Sequence, residues 1–171
     1  MFSATLPAET LKNVSDAVKD LVGSVNLSVD HDGFRAQSID DAHVALVGIH
    51  MRAEGMDSLT VKQPCTLGIN MNALSKLLKC AARGDLATLS CANEDMLQVR
   101  LHSGGTGEEG HYDLRMLNID EETLSVPERE SDCQLCMSSG EFARICNNMA
   151  LGGADVVSIA ANDSAVVFSP K

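Results

Sequence analysis

Lys76, Lys79 and Arg83 stand at i, i+3 and i+7, a spacing that puts three cations on one face of a helix. No acidic residue lies between them. Lys12 and Lys19 mark a first helical pattern, with Asp16 and Asp20 interleaved, and Arg144 marks a third. Rows of cations without interleaved aromatics suit contact with a phosphate backbone rather than base stacking. A solvated helix face is the plain reading of any one such row. Agreement among three rows favours phosphate.

Other residues could carry different chemistry. Cys133-x-x-Cys136 has metal-ligand spacing, but on the alternating stretch CQLCMS residues three apart point to opposite faces. No second such pair and no histidine pair completes a site. SGGTGEEG is rich in glycine but lacks the Gly-Lys-Ser/Thr ending of a phosphate-binding loop. His31, His43, His50, His102 and His111 show no ligand spacing, and no nucleophile elbow is present. A small acidic thiol or metal enzyme is the alternative from another class. The expected reading is a protein that is not an enzyme and needs no cofactor.

The elements that must position the cations repeat. Met1–Leu6 alternates as a strand, and Pro7 opens a helix with Leu11, Val14, Val18 and Leu21 as its apolar stripe. Ser24–Asp30 and Phe34–Ser38 form a hairpin turned at His-Asp-Gly, and a strand follows in His43–Arg52. The pattern restarts at CTLGIN. Asn72 is expected to cap a helix striped by Leu74, Leu77, Leu78 and Ala81 and ended by Arg83-Gly84-Asp85. The strands LATLSC, MLQVRLHS and HYDLRMLN follow. A third copy begins with the strand CQLCMS. Ser138 or Ser139 then caps a helix with Phe142, Ile145, Cys146 and Met149 inward, and VVSIAA and AVVFS form its hairpin. Strand, helix, strand, strand is an internal repeat. Antiparallel strands with one helix per unit give an α+β layer fold, helices on one sheet face.

Between the second and third copies runs NIDEETLSVPERESD, an acidic stretch with one proline and no sustained period. It reads as an interdomain connector. The expected domains are therefore 1–117, a connector over 118–132, and the first half of a second domain over 133–171. Ile119, Leu124 and Val126 give the connector more apolar character than a solvated linker needs. The strand His43–Arg52 is also anomalous, because Val44 and Leu46 fall opposite Ala45, Val47, Ile49 and Met51. The helices can cover one face only. The other, with Ile39 and His43 beside it, is either a second internal layer or a binding patch.

The 171 residues carry a formal net charge of −11 and a hydrophobic content of 44%. Taken as evenly spread, the charge argues against nucleic acid and acidic membranes. It is uneven: the acids concentrate in turns, the glycine-rich loop and the connector. Six cysteines lie inside apolar patterns, which suits reduced thiols. No apolar run reaches the length of a membrane span, and no secretory signal opens the chain.

The opening MFSATL with LKNVSDAVKDLV, the runs QSIDDAHVALV and SKLLKCA, the LSVPE of the connector and SGEFARIC together resemble the proliferating cell nuclear antigen family of sliding DNA clamps. The resemblance implies a DNA-clamp fold and a homotrimeric ring around double-stranded DNA, in the nucleus. Such a ring is placed by a clamp loader and tethers DNA polymerases and other repair proteins that carry short clamp-binding motifs. It implies that Lys12, Lys19, Lys76, Lys79 and Arg144 face DNA. It makes Ile39, His43, Val44 and Leu46, with Leu124, Val126 and Pro127, a docking groove for partners. It places Tyr112, Leu114 and Met116 on an edge strand that joins subunits. A checkpoint clamp subunit of a heterotrimeric ring is the alternative within the fold; SGEFARIC argues against it. Family members continue past the position of Lys171. Asn13 and Asn147 stand where the family usually has basic residues, Ser131 stands where an aromatic is common, and Asn162 replaces a modified lysine.

Overall fold

In the computed structural model, residues 1–40, 42–91, 95–120, 131–153, 155–162 and 164–171 are described. They fall into two units, Met1–Ser125 and Val126–Lys171.

In the first unit, β1 (Phe2–Pro7) leads directly into α1 (Ala8–Val18). Alternation in β1 buries Phe2, Ala4 and Leu6, and helical spacing then buries Ala8, Leu11, Ser15 and Val18. Ser15 is tolerated inside because its Oγ donates to the Leu11 carbonyl at 2.8 Å. The expected stripe included Leu21, but the helix stops at Val18; Val22 is buried instead and Leu21 is exposed. The hairpin of β2 (Ser24–Asp30) and β3 (Gly33–Ile39) turns where expected. Gly33 has φ 132°, and a Cβ there would lie 2.1 Å from the Met51 carbonyl oxygen, so only glycine fits the turn.

β4 begins at Leu46, not His43, and runs to Arg52. Within it the alternation is regular. Val47, Ile49 and Met51 pack against the core, while Leu46, Gly48, His50 and Arg52 face out. The two-sided apolar strand therefore reduces to Leu46, with Val44 on the preceding loop. A short strand the sequence reading did not identify, β5 (Ser58–Val61), follows.

The second copy runs β6 (Cys65–Asn70), α2 (Met71–Leu78), β7 (Leu86–Cys91), β8 (Met96–His102) and β9 (Glu109–Arg115). The N-cap of α2 is Asn70, whose Oδ1 accepts from the Ala73 N–H at 2.8 Å; Asn72 is the second helical residue. The copies are interleaved. β1 pairs with β7 and β6 pairs with β2, both antiparallel, giving sheets ordered β5-β1-β7-β8-β9 and β4-β3-β2-β6. The helices α1 and α2 pack on each other. A single core joins the two sheets, with Phe2 of β1 edge-on to Phe34 of β3 at 5.7 Å. Each fully buried side chain of this size contributes about 1.5–3 kcal/mol.

Where the chain leaves this domain it is pinned. The Leu117 N–H donates to the Gly68 carbonyl at 2.8 Å, and Asn26 Nδ2 donates to the Ile119 carbonyl at 2.9 Å. A Cβ at Gly68 would come within 2.0 Å of the Leu117 oxygen, so glycine is what lets the chain cross β6.

In the second unit, α3 (Ser139–Leu151) is capped by Ser138, whose Oγ accepts from the Glu141 N–H at 3.2 Å. The hairpin β10 (Val157–Ala161) and β11 (Val166–Pro170) follows. The expected strand CQLCMS is absent: Cys133–Ser138 carries no strand pairing among the described residues. Ile145, Cys146 and Met149 are half-buried, while Phe142 is exposed rather than inward. No described residue of this unit is fully buried.

Candidate nucleic-acid interface and docking face

The α2 cations stand away from the buried face of their helix. On α2, Leu74 and Leu78 are buried, leaving Lys76 and Lys79 exposed. Neither makes an ion pair among the described residues. Both sit at the C-terminal turn, where the helix dipole favours a positive charge. Arg83 does not extend this row, because the helix ends at Leu78. Arg83 lies in a turn made by Gly84, at φ 89°, and by Asp85 Oδ2, which accepts from the Ala82 N–H at 2.8 Å.

On α1, Lys12 and Lys19 are half-buried. Lys19 Nζ donates to Asp16 Oδ1 at 2.6 Å and to Ser75 Oγ of α2 at 3.4 Å, and Ser75 Oγ donates to the same Asp16 oxygen at 2.8 Å. The Lys19 hydrogen bond, then that of Ser75, holds the Asp16 carboxyl below its ordinary pKa; Asp16 in turn raises that of Lys19. The interleaved acid is therefore part of an inter-helix link. Of the α1 and α2 cations expected to face DNA, Lys19 is the one with an ion-pair partner among the described residues. In the second unit Arg144 is exposed on α3, 3.6 Å from Glu141 one turn earlier. Asn147 is exposed on the next turn.

Four of the residues expected to form the docking groove, Ile39, His43, Val44 and Leu46, lie close in the chain at one corner of the four-stranded sheet. Ile39 ends β3 and is paired in register with Leu46 of β4. Between them, Asp40 Oδ1 accepts from the N–H groups of Val44, at 2.8 Å, and Ala45, at 2.7 Å, and His43 takes φ 56°. The loop so formed displays Val44 at 86% exposure and Leu46 at 43%. Leu124, Val126 and Pro127 lie outside the described residues. Sequence reasoning missed Asp40; its signal is an Asp followed within a few residues by amides it can cap.

The Ala45 and Val44 N–H bonds lower the pKa of Asp40. Its folded pKa lies below the unfolded one, so its contribution is in place above the unfolded value and is lost as pH falls through the lowered value. An acid titration followed by NMR should therefore show the Val44 and Ala45 amides shifting together, with a midpoint below about 3.9. A midpoint at or above that value would remove Asp40 as the loop's organiser.

Among the described residues, β9 is an edge strand of the five-stranded sheet. The side chains of Tyr112 and Leu114, and Met116 just beyond the strand, are half-buried against the protein's own core. The outward residues are Glu109, His111, Asp113 and Arg115. Contact with another chain at this edge would be made by backbone groups and outward side chains. The Tyr112 ring lies against Gly110, and the neighbouring Cys80 thiol raises the pKa of its hydroxyl. Asn162, in the β10–β11 turn, accepts with Oδ1 from the N–H groups of Ser164, at 2.9 Å, and Ala165, at 2.8 Å.

Residues 1–124 match the family model described as Proliferating cell nuclear antigen, N-terminal domain. The match takes in both strand–helix–hairpin copies of the first unit and more than half of the chain. With an α+β clamp fold, antiparallel sheets and helices turned to carry cations, the chain belongs to the proliferating cell nuclear antigen family of sliding clamps.

Proposed function

We propose that this chain is a non-enzymatic clamp subunit that holds duplex DNA through phosphate contacts and tethers polymerases and other replication and repair proteins in the nucleus. The observation that carries this reading is the pair Lys76 and Lys79. Both are exposed on the face of α2 opposite its buried leucines, with no ion-pair partner among the described residues. In a protein of net charge −11, such a face is a local positive field that attracts an anionic ligand. Lys12 and Arg144 add to it, and Lys19 joins when a phosphate competes with Asp16. Residues 1–117 form the first clamp domain, 118–132 the connector and 133–171 the start of a second domain. The corner at Ile39, His43, Val44 and Leu46 docks partner motifs, covered by Leu124, Val126 and Pro127. Subunits of a homotrimeric ring meet at the β9 edge that carries Tyr112, Leu114 and Met116, and a clamp loader places the ring on DNA.

Titrating the chain with short duplexes, followed by NMR at several salt concentrations, tests this. Log affinity should fall linearly with log salt, by about 0.9 per phosphate neutralised. Duplexes of unrelated sequence should bind alike. Salt-insensitive or sequence-selective binding would refute the clamp reading.

A further inference from the structure

An acid stands between two of the cations assigned to DNA. Lys12, Asp16 and Lys19 recur at i, i+4 and i+7, so they share one face of α1. After the hydrogen bonds of Lys19 and Ser75 and the charge of Lys19, the charge of Lys12 also lowers the Asp16 pKa, which places both lysines around one carboxylate. Ser75 of α2 is buried and donates to that carboxylate at 2.8 Å, which fixes the acid at the seam between the helices. Ser75 directly precedes Lys76 and lies one turn before Lys79. Lys19 Nζ, 3.4 Å from Ser75 Oγ, therefore ends beside the α2 row.

The contact opposes a phosphate in two ways. Lys19 Nζ lies 2.6 Å from Asp16 Oδ1, and a phosphate that takes the ammonium must first displace the carboxylate. Asp16, still held by Ser75, would then face the phosphate as a like charge. The fold does not need that charge. Leu11, Val18, Leu74 and Leu78 anchor both helices in the core. Ser75 could donate to an amide oxygen as it does to a carboxylate.

We propose that Asp16 is an internal competitor of DNA, a positioning residue that holds Lys19 across the α1–α2 seam and keeps the grip on a duplex weaker than the cations alone would make it. A loose backbone contact is one that a protein can slide along. The inference rests on the phosphate-contact reading and assigns how that contact is regulated.

Duplex titrations of the full chain at one salt concentration test it through a double-mutant cycle. Asp16→Asn keeps an oxygen for Ser75 and removes the competing charge. It should tighten binding about two- to fivefold, the range that one exposed ion pair spans. Most of that gain should vanish when Lys19→Gln is added. A second cycle uses Asp20→Asn, which changes net charge equally. Asp20 acts on Lys19 by charge alone, behind the hydrogen bond and charge of Asp16, so its coupling to Lys19→Gln should be smaller. Carbon-13 NMR of the unsubstituted chain supplies a reading independent of how the variants fold. Adding duplex should shift the Asp16 carboxyl carbon, as Lys19 leaves it, more than that of Asp20. Absence of a gain from Asp16→Asn, equal coupling in the two cycles, or an Asp16 carboxyl carbon unmoved by bound duplex overturns this inference and leaves the phosphate reading standing. Absence of salt-dependent binding in every one of these proteins overturns both.

Discussion

Replacing Phe34 by Ala is expected to destabilise the first unit by about 3–5 kcal/mol, the usual cost of emptying a buried phenylalanine site. Phe34 has no exposure to solvent, and its ring meets Phe2 edge-on at 5.7 Å. The two residues belong to different sheets, so the contact is one of those that join them. Neighbouring backbone cannot easily close the gap, because β3 is paired on both sides, to β2 and β4. Against a typical domain stability of about 5–15 kcal/mol, the loss is a large fraction of the whole. Urea denaturation followed by circular dichroism measures it. A loss below about 1 kcal/mol would mean that the two sheets are held together elsewhere.

Leu46→Ser should show the opposite profile. Leu46 is 43% exposed and faces away from Val47, Ile49 and Met51, which supply the core contacts of β4. Its loss should cost folding less than about 1 kcal/mol. If the corner at Asp40–Leu46 is the docking face, the same change should cost a peptide with an aromatic or aliphatic anchor about 2 kcal/mol, roughly a 30-fold loss of affinity. Thermal melting and peptide titration on one sample separate the two effects. A large fall in melting temperature with unchanged peptide affinity would make Leu46 a core residue and end the docking assignment.

The fold was legible wherever local period and buried face agree. β1, the β2–β3 hairpin, β7 and β8 follow strict alternation, and Leu74 with Leu78 marks the buried side of α2. It was misread where tertiary partners decide. Asn70 and Asn72 are equally good caps by type, and Asn70 wins because β6 delivers it to the helix start. His43–Ala45 was expected to open the strand, but two Asp40 hydrogen bonds hold it as a loop. Cys133–Met137 alternates as well as β1 does and still carries no strand pairing among the described residues. For the site, the cations of α2 were visible from spacing. The link from Asp16 to Lys19 and Ser75 was not, because it depends on how two helices distant in sequence meet.

The most direct test of the phosphate-contact assignment compares two charge-matched double variants in the salt titration. One is Lys76→Glu with Lys79→Glu; the other is Arg100→Glu with Lys62→Glu, at exposed cations outside the helices. Both change net charge equally, so any general repulsion cancels. The expected result is a duplex affinity that falls steeply for the helix pair, with the salt slope reduced by about 2, and a slope unchanged for the control. Equal losses of affinity and slope in the two variants would contradict the assignment of DNA to this helix face.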